Sequence, residues 1–353
     1  MVYHIDTMEI PSENFMSISK KMRKTKLIAG RSNPELAKGI SEKLDIPLTP
    51  IKITDFGNTE LDVAIHETVR EFHVFVIQTG GFYQGRSVND HLIELFAIIH
   101  ACKLSGAKSI NVIMPCYAYA RSDKKCQSRV CVMASCIAPM FQQLGVKRIV
   151  SMDLHAGQIQ GFYQIPMDNI YGINLLIENF KTVLFDGLSK SEINDKYVLV
   201  APDVGAAKVI EKYAKHLEMK HVIMHKHRDY DNPNVVFNSI LIGESDSINN
   251  KTVIIIDDIV DSFGTMNAAV NTLIKHGAKN AIVVATHGLY SGQAFEKIND
   301  NEFIEKIVVI NTLPQCENLQ KTSKLQVIDA SETFAEVIKR LRVGNVSISE
   351  LFI

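Results

Sequence analysis

Val253-Ile-Ile-Ile-Asp257-Asp258-Ile-Val-Asp261-Ser262-Phe263-Gly264-Thr265 is the stretch on which the reading of this chain turns. The unbroken apolar run Val253–Ile256 reads as a strand covered on both faces. It passes into paired acids, a turn and a helix expected over Gly264–His276. A helix start carries unpaired N–H groups and the positive end of the macrodipole. With the hydroxyls of Ser262 and Thr265 it makes a cradle suited to a phosphate. Gly264 allows close backbone approach. Asp257 and Asp258 fall at the carboxyl end of the strand, where open α/β sheets bind ligands and where carboxylates can accept from sugar hydroxyls. An acidic helix cap with no ligand is the plainer alternative. Three carboxylates crowded at a buried strand end repel one another without a compensating partner, and that favours a binding site.

The same strand-then-helix rhythm runs outward in both directions. Strands are expected at Leu27–Ala29, His73–Gln78, Ile110–Met114, Arg148–Met152, Tyr197–Ala201, His221–Met224, Ala281–Ala285 and Ile307–Ile310. Helices are expected at Pro34–Leu44 (behind Asn33 as N-cap), Gly205–Leu217 and Ser331–Arg342. Such alternation implies crossover units and an α/β fold with mainly parallel sheets. Two α/β halves are expected, 26–170 and 171–330, with an extension at 1–25 and a helix and tail at 331–353. Pro and Gly concentrate nowhere, so no long linker parts the halves and a cleft between them is the expected site.

Composition excludes several classes. Of 353 residues, 46% are hydrophobic and 22% charged, an ordinary globular balance, so a disordered or fibrous chain is ruled out. Thirty-eight Lys+Arg against 39 Asp+Glu give a charge of -1, which leaves no basic excess for binding nucleic acid. No apolar run is long enough to span a bilayer, so no membrane partner is expected. Cys126, Cys131 and Cys136 recur at five-residue spacing without the tighter pairs of a zinc site. The cysteines read as reduced thiols in a cytoplasmic protein. Asp6, Glu9 and Glu13 argue against a secretory or transit leader.

The loop at Asp257–Thr265 resembles the phosphoribosyl-binding loop of phosphoribosyltransferases and phosphoribosyl diphosphate synthetases. Four further stretches resemble the ribose-phosphate diphosphokinases, in order and with near-constant spacing: Leu27-Ile-Ala-Gly-Arg-Ser-Asn33, Ser151-Met-Asp153-Leu-His155-Ala-Gly, Ala201-Pro-Asp203-Val-Gly205 and Thr286-His287-Gly288. Asn311-Thr-Leu-Pro-Gln315 adds a fifth. The resemblance, which covers the chain from about residue 26 onward, implies two phosphoribosyltransferase-like domains. It also implies transfer of the diphosphoryl group of ATP to the C1 hydroxyl of ribose 5-phosphate, with Mg2+ as cofactor. Asp257, Asp258, Asp261, Ser262, Phe263, Gly264 and Thr265 would then hold ribose 5-phosphate.

The resemblance assigns other residues in the same way. Phe56, Asn58, Thr59 and Glu60, with Arg121, Ser122, Asp123, Arg129 and His155, would contact ATP. Asn58, Thr59 and Ser122 depart from the family's usual Asp, Gly and Gln. His155, Asp203, Asp153 and Asp168 would serve the metal. Lys226 and Arg228, expected on a loop beyond strand His221–Met224, would be catalytic, neutralising charge on the transferred group. Taken alone, a Lys-x-Arg pair is an ordinary surface hairpin. Ser347 and Ser349 resemble the tail of phosphate-activated members, with inorganic phosphate and ADP as effectors and self-association to a dimer or hexamer. A phosphoribosyltransferase, and a non-catalytic synthetase-associated subunit, are the competing readings. The first does not need the Lys226/Arg228 segment, and the second does not need the retained Arg121, His155 and Asp203.

Overall fold

A computed structural model describes residues 22, 24–228, 236–243, 248–344 and 346–352, with backbone alone at 226–228, 236–240 and 243. In chain order the elements are β1 (Thr25–Ala29), α1 (Pro34–Leu44), β2 (Ile51–Asp55), β3 (Leu61–Ile65), β4 (His73–Ile77), α2 (Val88–Leu104), β5 (Ser109–Ile113), α3 (Met133–Gln143), β6 (Val146–Met152) and β7 (Met167–Ile170). They continue as α4 (Ile173–Asn179), α5 (Lys190–Lys196), β8 (Tyr197–Ala201), α6 (Ala207–Leu217), β9 (His221–Arg228), β10 (Val236–Gly243), β11 (Thr252–Val260) and α7 (Gly264–Lys275). The last are β12 (Asn280–Gly288), α8 (Ala294–Asp300), β13 (Ile304–Ile310), α9 (Cys316–Leu319), β14 (Leu325–Ile328) and α10 (Ser331–Val343).

The strands form a five-stranded sheet, order β1-β4-β5-β6-β7, and a seven-stranded sheet, order β10-β9-β8-β11-β12-β13-β14. The first is parallel throughout, and the second is parallel except where β10 pairs antiparallel with β9. This is the α/β class expected from the alternation. β2 and β3 make a separate antiparallel hairpin.

Helix ends follow local chemistry. Asn33 caps α1 by accepting from the Leu36 N–H at 3.4 Å, and Pro34 presets the first turn. Ser87 and Asp90 close a reciprocal capping box on α2. α7 differs: Phe263, in the left-handed region at φ 60, precedes it and gives no side-chain cap, so its first N–H groups point outward unclaimed by a side chain.

Successive residues on the central strands face different apolar layers. Ile28, Val74, Val112 and Ile149 pack under α2 and α3, while Val198, Val253, Val283 and Ile307 pack under α7 and α8. Between the sheets lies a third layer drawn from both, in which Leu27, Phe75 and Val150 share one core with Leu199, Ile254 and Ile282. Phe334 of α10 is fully buried in this layer, so the last helix is part of the frame that joins the two sheets. With one core in common, the two sheets hold the cleft between them at fixed width.

Several expected boundaries move, two of them at the site. The strand expected to stop at Met224 runs on to Arg228, because β10 supplies a ladder partner as far as Arg228↔Val236. Lys226 and Arg228 therefore sit on a paired ribbon, not in a loop; Tyr230–Asn234, whose Asn-Pro-Asn sequence favours a loop, lies outside the described residues. β11 likewise continues past Ile256 to Val260, because β12 accompanies it to Val260↔Gly288. Among the described residues, no helix is long and apolar enough to cross a membrane.

The end of β4 is packed tightly enough to test. A Cβ on Gly80 would lie 2.5 Å from the backbone nitrogen of Ala118, which cannot swing aside. Gly80→Ala is expected to cost about 1–3 kcal/mol, the usual penalty of overpacking. Urea unfolding measures it, and an unchanged midpoint would show that these strand ends part freely.

Candidate active site

The seven-stranded sheet reverses its strand order between β8 and β11: β8, β9 and β10 grow one way, and β11 to β14 the other. A crevice forms outside the carboxyl ends of strands at such a switch point. Here β8 pairs with β11 only as far as Val200↔Ile255, whereas β12 follows β11 on the other side to its end. Asp257 and Asp258 therefore lie on a strand with one open edge. Asp203, just beyond β8, faces the same opening, where its carboxylate caps a short 3-10 turn by accepting from Ala206 N–H at 3.2 Å.

The opening is a cavity of about 1110 Å3, lined by Arg121 and His155 from the first half and Asp203, Asp257, Asp258 and Thr265 from the second. That exceeds the roughly 300–1,000 Å3 of a pocket for one small ligand, and two substrates can share it. Two ion pairs cross between the halves. His155 Nδ1 lies 2.6 Å from Asp258 Oδ2, and Arg121 donates to Asp261 Oδ2 at 2.7 Å. Ser291 also donates to Asp261.

These contacts divide the charges. Burial, together with the facing Asp258, pushes the Asp257 carboxyl well above the usual range. Burial acts on Asp258 too, but His155 outweighs it and holds Asp258 below the usual range. The Asp258 hydrogen bond in turn raises His155. Burial of Asp261 is overcome by Ser291 and Arg121, which keep it ionised. The crowding expected from the sequence is thus relieved in two ways, by a retained proton on Asp257 and by cations reaching over from the first half.

Residues 25–145 match the N-terminal domain of ribose phosphate pyrophosphokinase, and residues 240–353 match the phosphoribosyl synthetase-associated domain. Ribose-phosphate pyrophosphokinase 4 of Saccharomyces cerevisiae is 40% identical over 327 residues, covering 93% of this chain and 94% of that one. Ribose-phosphate pyrophosphokinase 2 of Schizosaccharomyces pombe is 38% identical over 331 residues, covering 93% and 97%. The crystal structure of phosphoribosylpyrophosphate synthetase from Mycobacterium smegmatis superposes with a TM-score of 0.79 at 34% identity, over 90% of this chain and 98% of that one. The chain belongs to the ribose-phosphate pyrophosphokinase family.

Not every residue assigned from the family resemblance reaches this cavity. Phe56, Asn58, Thr59 and Glu60 form the exposed tip of the β2–β3 hairpin and do not line it. The tip is held from behind by Asp55, which accepts from both Arg31 and Arg86 and is thereby lowered to about 2. Ser122 faces α3, accepting from Met133 N–H at 3.0 Å; Asp123 is buried under Gln158, which donates to it at 2.7 Å; Arg129 lies on the exposed loop between them and α3. Asp168 pairs with Arg148 on the neighbouring strand instead of joining the acids. Asp153 lines the cavity, but its Oδ2 already accepts from Thr286 Oγ1 at 2.6 Å and Gly172 N–H at 3.0 Å. Of the second loop, Thr265 lines the cavity, Phe263 is buried, and the Ser262 carbonyl accepts from Lys297 at 2.9 Å. The side chains of Lys226 and Arg228 lie outside the described residues.

The cavity also has a wall that the motif reading did not assign. Lys212 sits 5.1 Å from the centroid of the Tyr171 ring, and Phe352 packs edge-on against the same ring. Nothing in the sequence marks them, since tertiary packing alone brings α6, the end of β7 and the tail together. Among the described residues, no three acidic, His or Cys side chains form a preformed metal cage. The acids present suit Mg2+, a hard cation that binds through one or two carboxylates with waters and substrate phosphates.

The divided charges give a pH signature. Asp257 has a folded value above its unfolded one, so it binds a proton more tightly when folded. Its contribution is complete below the ordinary Asp range near about 4 and is lost as pH rises toward the raised value. The substrate-free protein should lose thermal stability between about pH 5 and 8, and Asp257→Asn should flatten that slope. Calorimetry at constant ionic strength measures both. A wild-type slope unchanged by the substitution would contradict the shared proton of the half-buried acid pair.

Proposed function

We propose that this protein transfers the diphosphoryl group of ATP to the C1 hydroxyl of ribose 5-phosphate, giving 5-phosphoribosyl 1-diphosphate and AMP for nucleotide biosynthesis. The observation that carries this reading is that the start of α7, Thr265 and the acid pair face Arg121 and His155 across one cavity. On one wall, the uncapped start of α7 with Thr265 would take the 5-phosphate, and Asp257 and Asp258 would accept from ring hydroxyls. On the other, Arg121 and His155 would reach the nucleotide's phosphates. Held there, the anomeric oxygen bonds to the β-phosphorus while the bond from that phosphorus to the oxygen retained by AMP breaks, and the hydroxyl's proton passes to water. Fixing both partners makes the attack effectively intramolecular.

Asp203, with Asp257 and Asp258 once charged, and His155 beside them, would hold Mg2+ together with the substrate oxygens. When bound, Mg2+ neutralises charge on those oxygens. We assign charge stabilisation of the moving diphosphoryl group to Lys226 and Arg228, whose strand ribbon stands next to β8 at the cavity's edge. Because the Phe56–Glu60 tip does not reach the cavity of its own chain, a contact with ATP is supplied by a second copy, in keeping with a self-associating enzyme. The cytoplasmic placement rests on six unpaired cysteines.

Inorganic phosphate and ADP are proposed effectors at the tail. There the Ser347 and Ser349 hydroxyls lie 2.6 Å apart, and Arg340 donates to the Ser347 carbonyl at 2.7 Å.

Incubation with ATP, Mg2+ and ribose 5-phosphate should release AMP and phosphoribosyl diphosphate in equal amounts; ADP as the nucleotide product would refute the reaction. Lys226→Ala should lower turnover by about 10²–10³, the scale for removing one charge-stabilising donor, with little change in KM for ribose 5-phosphate. Near-normal turnover would remove Lys226 from the mechanism. In the same assay, a flat response to millimolar phosphate would remove the effector role.

A further inference from the structure

A chain of buried hydrogen bonds links the strand ends of the two sheets directly beneath the proposed site. His287, at the end of β12, is 2% exposed. Its Nε2 points at two carbonyls of the first half, Met152 O at 3.0 Å and Asp153 O at 3.3 Å. Carbonyls only accept, so this nitrogen carries a proton. On the other side of the ring, Nδ1 lies 2.8 Å from Thr312 Oγ1, and Thr312 donates to Thr286 O at 3.2 Å. The chain continues to the segment just after β4, where Thr79 Oγ1 donates to Thr312 O at 2.7 Å and accepts from Cys116 N–H at 3.1 Å.

Asp153 is where this network meets the site. Its backbone is left-handed, at φ 40, a conformation that a residue with a Cβ rarely adopts. Such strain persists only where the surroundings over-determine it. Here four contacts do so. Thr286 Oγ1 and Gly172 N–H hold the carboxylate, the Asp153 N–H donates to Ile170 O at 2.8 Å, and His287 holds the carbonyl. The turn thus enforced carries the chain from β6 to His155, two residues on, whose ring then reaches Asp258 at 2.6 Å.

From this geometry we infer that Asp153, Thr286 and His287 form a latch of positioning residues between the halves, which sets His155 against Asp258 and so aligns the two substrate walls. Asp153 acts through its backbone turn and its bonds to Thr286 and Gly172. The latch rests on the diphosphoryl-transfer reading above, since alignment has a measurable consequence only if both walls bind substrate. Loosening it shifts His155 relative to Asp258 while Thr265 and the acid pair stay in place, so turnover falls while ground-state binding of ribose 5-phosphate is kept.

The test uses full-length Thr286→Val, which keeps the side chain's shape and removes its donor, beside Thr286→Ser, which keeps the donor. Thr286→Val should lower kcat by about tenfold to a hundredfold, the scale of an ångström-level misplacement, with KM for ribose 5-phosphate within about twofold. Thr286→Ser should recover at least about half of the wild-type kcat, as expected if the donor carries the effect. Wild-type kcat in Thr286→Val, equal losses in both variants, or a rise in KM at unchanged kcat would each overturn the latch. If Thr286→Val does not fold, Thr312→Val, which removes the partner of His287 Nδ1, is judged on the same kcat-against-KM criterion. Failure of both to fold would show that the network serves folding alone and would likewise overturn it. A wild-type protein that makes no AMP would instead refute the reaction itself, so the two failures are distinguishable.

Discussion

Two adjacent, half-buried carboxylates on the open-edged last stretch of β11 are the constraint to which the rest of the molecule answers. Moving an unpaired charge out of water is costly, and two like charges side by side make it worse. The protein resolves this locally, by a retained proton on Asp257, and at long range, by bringing His155 from the other sheet onto Asp258. A pair that needs an outside cation and a proton to be tolerated is also a pair ready to exchange them for sugar hydroxyls and a metal-bound phosphate. Its cost in the substrate-free state and its use in binding have one origin.

Long-range compensation requires that the two halves not drift. The apolar layer shared by Leu27, Phe75 and Val150 with Leu199, Ile254 and Ile282 provides that rigidity, and α10 extends it. Directional bonds then refine what packing fixes: Arg121 to Asp261 on the rim, and His287 to the carbonyls of Met152 and Asp153 underneath. Hydrophobic burial has no preferred direction and cannot by itself orient a ring or a carboxylate. That orientation falls to the polar contacts at the strand ends, where the cavity lies.

Much of this was legible in the sequence, for physical reasons. The central strands are covered on both faces, so they appear as unbroken Val/Ile runs. Pro34–Leu44 announces itself through Asn33 and Pro34. What escaped were strands lacking such runs: Ile51–Asp55 and Leu61–Ile65, half-exposed and alternating, the four-residue Met167–Ile170 and Leu325–Ile328, and Val236–Gly243, whose apolar run is broken by Asn238 and Ser239. Strand ends were misjudged at β9 and β11 because hydrogen-bonded pairing continues after the apolar layer stops, and pairing leaves no mark in composition. Within the site, Asp203, His155, Arg121 and the Asp257–Thr265 loop belong to local motifs and converge on the cavity. Asp168 does not, because Arg148 on the adjacent strand claims it, and Asp123 is covered by Gln158. A motif identifies a residue type at a position; the partner that captures its side chain is decided by tertiary packing.

The central claim is that the mouth of α7 and the acid pair hold a sugar phosphate facing a nucleotide bound from the other half. The most direct measurement is a crystal structure with ribose 5-phosphate and a non-hydrolysable ATP analogue bound together. The account predicts the 5-phosphate on the amides of Gly264 and Thr265, ring hydroxyls toward Asp257 and Asp258, and the triphosphate within reach of Arg121 and His155. A sugar phosphate seated away from Thr265, with the acid pair facing no hydroxyl, would contradict it.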